Sequence, residues 1–283
     1  MTAQPPPHPA PAPAGAAPDP VPDAAPGPGT APVLDTALGL RCRARAKAAG
    51  PAPALAELRA GLGPDARAWG PGGHALLPLA AAEAPGDAPV ATLEFPSGDL
   101  GVWRDERHRD GVSGPWTTGV LWIRLGLTEQ LLRTAAGYLS GRRVGGETLA
   151  EVSSVRTVLG EAAADLLEAR LLLHHGAADG GFGREADGGP AAGRAADAGA
   201  APWPAAAGGS AGTDAADGPD GLAAPRAADA LVRAQRAALR LLGASGYLDD
   251  GPGRLARAVD LLADVHPVAA DPATGRHATE VSP

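Results

Sequence analysis

The chain has 283 residues with 40 glycines, 30 prolines and a formal net charge of −8. Aromatic residues make up 3% of it, which is poor material for a large core. No basic stripe interleaved with aromatics supports nucleic-acid binding, and no run of roughly 18 apolar residues exists to span a membrane. Lys47 is the only lysine, so the Ala/Gly/Pro/Arg bias points to a GC-rich genome, and alanine is discounted as a marker of helix or core. Cys42 is the single cysteine, which excludes an intrachain disulfide and a cysteine-rich metal site. Read as exposed between Arg41 and Arg43, it would have a lowered pKa; the plainer reading is an incidental thiol.

In chain order, residues 1–31 form a Pro/Ala-rich tail with almost no large apolar residue, read as disordered. The tail has no basic start followed by an apolar run, hence no secretory signal, and it lacks arginine, against a transit peptide. The expected compartment is the cytoplasm. Residues 32–117 are a small, weakly patterned α/β region. Leu34 to Ala49 and Ala54 to Gly63 read as short helices, and Ala75 to Ala81 as a strand. Between Val90 and Phe95 apolar residues alternate with a period of two, and the turn residues Pro96 to Asp99 lead into Leu100 to Trp103, so a small hairpin is expected.

From Thr118 the period becomes that of a helix. Leu121, Leu125, Leu132, Ala135 and Leu139 line one face of a helix running to about Gly141, where Gly145 and Gly146 break the pattern. Thr148 and Glu151 fit a capping box opening a second helix, whose inner stripe is Val152, Val155, Leu159, Ala162, Leu166 and Leu173. Gly176 is its expected stop. A Gly/Ala-rich linker covers 177–224. A third helix runs from Pro225 to Leu242, Gly243 to Gly251 make a turn, and Pro252 opens a fourth helix to Val265. Residues 269–283 read as a disordered tail. The expected fold is mainly α: helices between 118 and 268 paired as two hairpins in an up-down four-helix bundle. The adjacent His174 and His175 point apart on a helix with no third ligand near, so they read as surface and no metal is expected.

Two stretches of these helices, Gly126 to Arg156 and Ala238 to Val259, resemble the carboxy-terminal helical domain of the acyl-CoA dehydrogenases. In the first, Tyr138, Arg142, Gly146 and Leu149 keep the family's register without a gap, and Arg156 stands at a common basic position. In the second, Gly243, Gly246 and Tyr247 are retained, followed by Pro252 and Arg257, while the family's glutamine is Arg240. The resemblance implies that Arg142 and Gly146 sit at the FAD pyrophosphate and that Arg240, Gly243, Gly246 and Tyr247 form the turn meeting the FAD of a neighbouring subunit. A guanidinium suits forked recognition of phosphate, and glycines let backbone approach. The chain departs from the family at Gly145 (phenylalanine in the family), Thr148 (proline) and Ser153 (glutamine).

The family abstracts the substrate α-proton with a glutamate while a hydride passes to flavin. The matching position falls at His266 or Pro267 and, in other members, within Trp116 to Gly119; neither place holds a carboxylate. Asp264 is close in sequence but points another way from its register. A histidine just past a helix end reads as a solvated cap, and His266 is the one candidate base. The sequence before Thr118 is too short for the family's amino-terminal and middle domains; 32–117 is expected to be a remnant of the middle β-domain. The implied protein is a truncated, diverged FAD-linked oxidoreductase of the CH–CH donor class, a homo- or hetero-oligomer completing the FAD site of a full-length partner. Its alternatives are an inactive bundle for assembly that binds no flavin, and an unrelated four-helix interaction domain.

Overall fold

The computed structural model describes residues 34–63, 66, 68–80, 88–108, 114–178, 223–248 and 251–268, all within one compact unit. The tails and linker read from the sequence lie outside these residues, apart from the linker's two ends. The protein is mainly helical, with a small antiparallel sheet.

Two short helices come first. Helix α1 (Thr36–Ala49) is capped by Asp35, whose carboxylate accepts the Leu38 amide at 2.5 Å. Gly50, at φ 86°, ends α1, and Pro51 starts α2 (Pro51–Leu62) at once. Three strands follow: β1 (His74–Pro78), β2 (Ala91–Leu93) and β3 (Leu100–Arg104), in the order β1-β3-β2, with Leu76 and Ala91 both opposite Val102. The expected hairpin is β2–β3. The alternation buries little in β2, because Ala91 and Thr92 are exposed on an edge strand and only Leu93 is half-buried.

Helix α3 (Gly114–Ser140) organises the rest. From Thr118 to Thr128 every residue is buried, as is Trp116. A helix buried all round needs neighbours on every side, and α3 has them: α1, α2, α4 (Ser153–Ala178), α5 (Ala223–Leu242) and α6 (Pro252–Val265) all pack on it. Close approach is set by glycine. A Cβ on Gly119 would strike Leu58 of α2, and one on Gly126 would strike the carbonyl oxygen of Arg43 in α1. The change of pattern near Thr118 is therefore no break in packing. One apolar core runs from Leu38 and Leu55 through Ile123 to Leu173 and Leu231.

The carboxy-terminal helices follow their apolar stripes. Ala162, Leu166 and Leu173 of α4 and Ala230, Leu231 and Ala234 of α5 face inward, and Arg233 ties α5 to Asp165 and Glu168 of α4 at 2.9 Å each. Glu151 caps Thr148, taking its amide at 2.8 Å, but the turn it closes is a single 3₁₀ turn (Leu149–Glu151). Val152 is extended, and α4 begins only at Ser153.

Gly126→Ala should destabilise the protein by about 1–3 kcal/mol through overpacking against the α1 backbone. Gly137→Ala, in the same helix but with nothing within 4 Å of the new Cβ, should stabilise it by up to about 1 kcal/mol. Urea midpoints check both; equal shifts of the same sign would refute the close crossing.

Candidate functional site: a groove at two helix ends

Helix α3 ends where Gly141 and Arg142 donate back to Gly137 and Leu139. The chain then makes a two-strand ribbon, β4 (Arg143–Val144) and β5 (Glu147–Thr148). Gly145 and Gly146 turn it with φ of 64° and 95°, positive at both central positions as a tight hairpin turn requires. The ribbon closes with Leu149 donating to the Arg142 carbonyl at 2.8 Å. The glycines that break the helical pattern are thus turn residues, and Gly145 holds its place for a backbone reason.

Helix α5 ends beside this ribbon. Gly243, at φ 57°, starts a 3₁₀ turn through Tyr247, and the Ser245 hydroxyl donates to the Leu242 carbonyl at 2.6 Å. Between the two helix ends lies an open groove of about 510 Å³. Tyr138, Arg142 and Leu149 wall one side; Arg240, Gly243 and Ser245 are on the other. The Arg142 guanidinium lies over the Tyr138 ring, 4.3 Å from its centroid. Neither Arg142 nor Arg240 makes an ion pair with a described residue. Cations are favoured at helix C-termini, whose free carbonyls carry partial negative charge, so part of their field is spent there. The rest faces the groove.

Three of the six residues singled out by sequence therefore share one groove: Arg142, Arg240 and Gly243. Gly146 sits at the open ribbon tip. Gly246 is buried, its position closed by Leu242 and Leu239. Tyr247 is 69% exposed and does not line the groove. The groove is also lined by Ser245 and Leu248, for which the sequence carries no distinguishing signal.

His266 differs from its reading as a solvated cap. It is 2% exposed, and Trp116 donates its indole N–H to His266 Nε2 at 3.2 Å. Burial pushes its pKa down to about 4. The two stretches named as base positions thus meet, and their contact is filled by a tryptophan and a neutral histidine. With Nε2 accepting from Trp116, that lone pair is not free to take a substrate proton. Asp264 is exposed. Cys42 is fully buried and burial drives its thiol up to about 12, so the expectation from its arginine neighbours is reversed. His175 is exposed, and His174 is half-buried, its ring T-shaped against Trp122 with centroids 5.1 Å apart. Among the described residues no cluster could hold a metal ion.

No family model matches the chain, and no curated protein matches it in sequence. Solved structures share its helical course over part of its length. An electron-transferring flavoprotein of Acidaminococcus fermentans is 16% identical, with a TM-score of 0.37, over 60% of this chain and 39% of that one. A glutaryl-coenzyme A dehydrogenase in complex with glutaryl-CoA is 17% identical, with a TM-score of 0.38, over 61% and 42%. The ChsE4–ChsE5 complex from Mycobacterium tuberculosis is 18% identical, with a TM-score of 0.38, over 69% and 52%. The chain spans about half the length of these structures or less, and no residue's role is taken from them.

The folded pKa of His266, about 4, lies below its ordinary value of 6.5, so the fold favours the neutral ring. This stabilisation is complete above pH 6.5 and fades as the pH falls through 4. His266→Gln keeps an acceptor for Trp116 but cannot titrate. Relative to this variant, the wild type should lose up to about 3 kcal/mol of unfolding free energy between pH 7 and 4. Denaturant titrations across that range check it, and parallel pH profiles would contradict it.

Proposed function

We propose that the chain is an acyl-CoA dehydrogenase-like, flavin-linked subunit. In this reading α3 to α6 correspond to the four-helix bundle of that family, and the β1–β3 sheet is a remnant of its middle domain. The groove between Arg142 and Arg240 receives the pyrophosphate of an FAD whose ring is housed by a partner subunit. One observation carries the reading. Two sequence stretches about a hundred residues apart, each resembling a flavin-contacting segment, put their arginines and the Gly243 turn on the same groove.

The residues present fit part of the cofactor. Two guanidiniums without ion pairs suit a pyrophosphate, and the volume lies within the range of small-molecule sites, about 300–1,000 Å³. The groove is open, and its walls do not enclose an isoalloxazine ring, which is why a partner enters the proposal. FAD would supply hydride acceptance from the substrate β-carbon when bound. This chain's part is to hold phosphate oxygens at Arg142 and Arg240 and to keep the backbone low at Gly243. It supplies no proton acceptor at the expected place, since Trp116 and His266 satisfy each other there.

That filled position favours a second reading, in which the bundle serves assembly alone and no flavin is bound. Co-expression with a dehydrogenase encoded beside this chain separates the two. The first reading expects a yellow complex with flavin absorbance. Arg142→Ala and Arg240→Ala should each weaken FAD retention by roughly tenfold or more, the effect of one charge-assisted hydrogen bond. A colourless complex supports the assembly reading. A yellow complex indifferent to both substitutions would remove the groove from the site.

A further inference from the structure

The groove has more apolar wall than a pyrophosphate uses. Leu149, Leu241 and Leu248 line it, with the buried Leu139 and Leu242 behind them, and its side-chain polar groups are few. The Ser245 hydroxyl donates to the Leu242 carbonyl, and one face of Tyr138 is covered by Arg142. What remains is two guanidiniums without ion pairs beside a leucine floor. Ribose hydroxyls and purine nitrogens would find few partners on such a wall. A saturated chain would bury against it, and a head of one or two negative charges would reach the arginines.

We propose that this groove binds amphiphilic anions, molecules with an alkyl or acyl chain ending in a carboxylate or phosphate. The inference shares with the proposed function only the premise that the groove takes anions; it does not require FAD. The site is local: the chain carries −8 overall, so a bulk field does not gather anions here. Arg142 and Arg240 are both exposed, so replacing them leaves the core intact. Leu248 is also exposed, which allows the apolar wall to be changed without unfolding.

Calorimetric titration of the full chain tests it, with decyl phosphate, decanoate, octanoate, inorganic phosphate and decyltrimethylammonium below their micellar concentrations. One site is expected for the decyl anions, about fifteenfold tighter for decanoate than for octanoate, since each of the two extra methylenes, if buried, is worth roughly fourfold. The double variant Arg142→Ala/Arg240→Ala should lose tenfold or more, and Leu248→Asn should flatten the chain-length dependence. The two decyl anions show which head the site prefers. Equal binding of the cationic amphiphile, or indifference to the arginine substitutions, overturns the proposal. So does inorganic phosphate binding as tightly as decyl phosphate, which leaves a plain phosphate site and keeps the flavin reading. FAD binding without any decyl anion likewise overturns this inference alone. If no anion binds, with FAD also rejected, both readings fall.

Discussion

The all-round burial of α3 between Thr118 and Thr128 sets the rest of the architecture. A helix in that position cannot be served by three antiparallel neighbours. It draws α1 and α2 onto the faces that α4, α5 and α6 leave open. The amino-terminal region is thus structural support for α3. Glycine makes this possible twice, at Gly119 and Gly126, where a methyl group would collide with the neighbouring helix. In a chain so poor in aromatics, close backbone approach replaces large side chains as the source of packing density. The exceptions are Trp116 and Trp122, both fully buried in this helix.

The groove follows from where the central helix stops. Beyond Leu131 the burial narrows to one stripe, and a second small cluster of Leu131, Ala135, Ala238, Leu242 and Ala256 holds the ends of α3 and α5 together. Two helix C-termini side by side expose carbonyls, and arginines there reduce the repulsion. Structural need alone thus accounts for a cation at each end. The contact of Arg142 with Tyr138, four residues earlier, is an ordinary helix-end cation–π pair, and leucines line the space between the two ends. An anion-binding role uses charge that the fold already had reason to place.

Much of this was legible from the sequence, for identifiable reasons. Long helices with polar outer faces, α4 and α5, show their stripes, and Pro225 and Pro252 mark first turns. Arg142, Arg240 and Gly243 stand out in the sequence only through the resemblance of their motifs to a known family's turns; the structure puts them on one groove. The first half of α3 was read as a one-sided stripe; a helix buried all round carries no period to detect, and Gly119 and Gly126 look like weak helix formers until a neighbour lies on them. His266 and Cys42 were misjudged for one reason. Cys42 lies between two arginines and His266 lies just past a helix end, but burial is decided by residues far along the chain, Trp116 for His266 and the α1–α3 contact for Cys42. Arg124 was not singled out at all. It lies in the apolar run and is only 2% exposed.

Arg124 and His266 together explain how α6 is held. Burial lowers the Arg124 pKa to about 10, with Asp260 and Asp264 of α6 acting in the opposite direction. Gln235 of α5 donates to the Asp260 carboxylate at 2.8 Å and to the Ala256 carbonyl at 3.2 Å. Trp116 holds the end of α6 through His266. The seating of α6 against α3 and α5 is therefore partly polar, with directional bonds from Trp116 and Gln235 beside the apolar contacts of Val259 and Leu262. The end of α6 is thus fastened by a buried histidine. A carboxylate in place of His266 would be buried against an indole donor and the carbonyl end of α6, with no described cation bonded to it. A single substitution of that kind would therefore work against the packing at the end of α6.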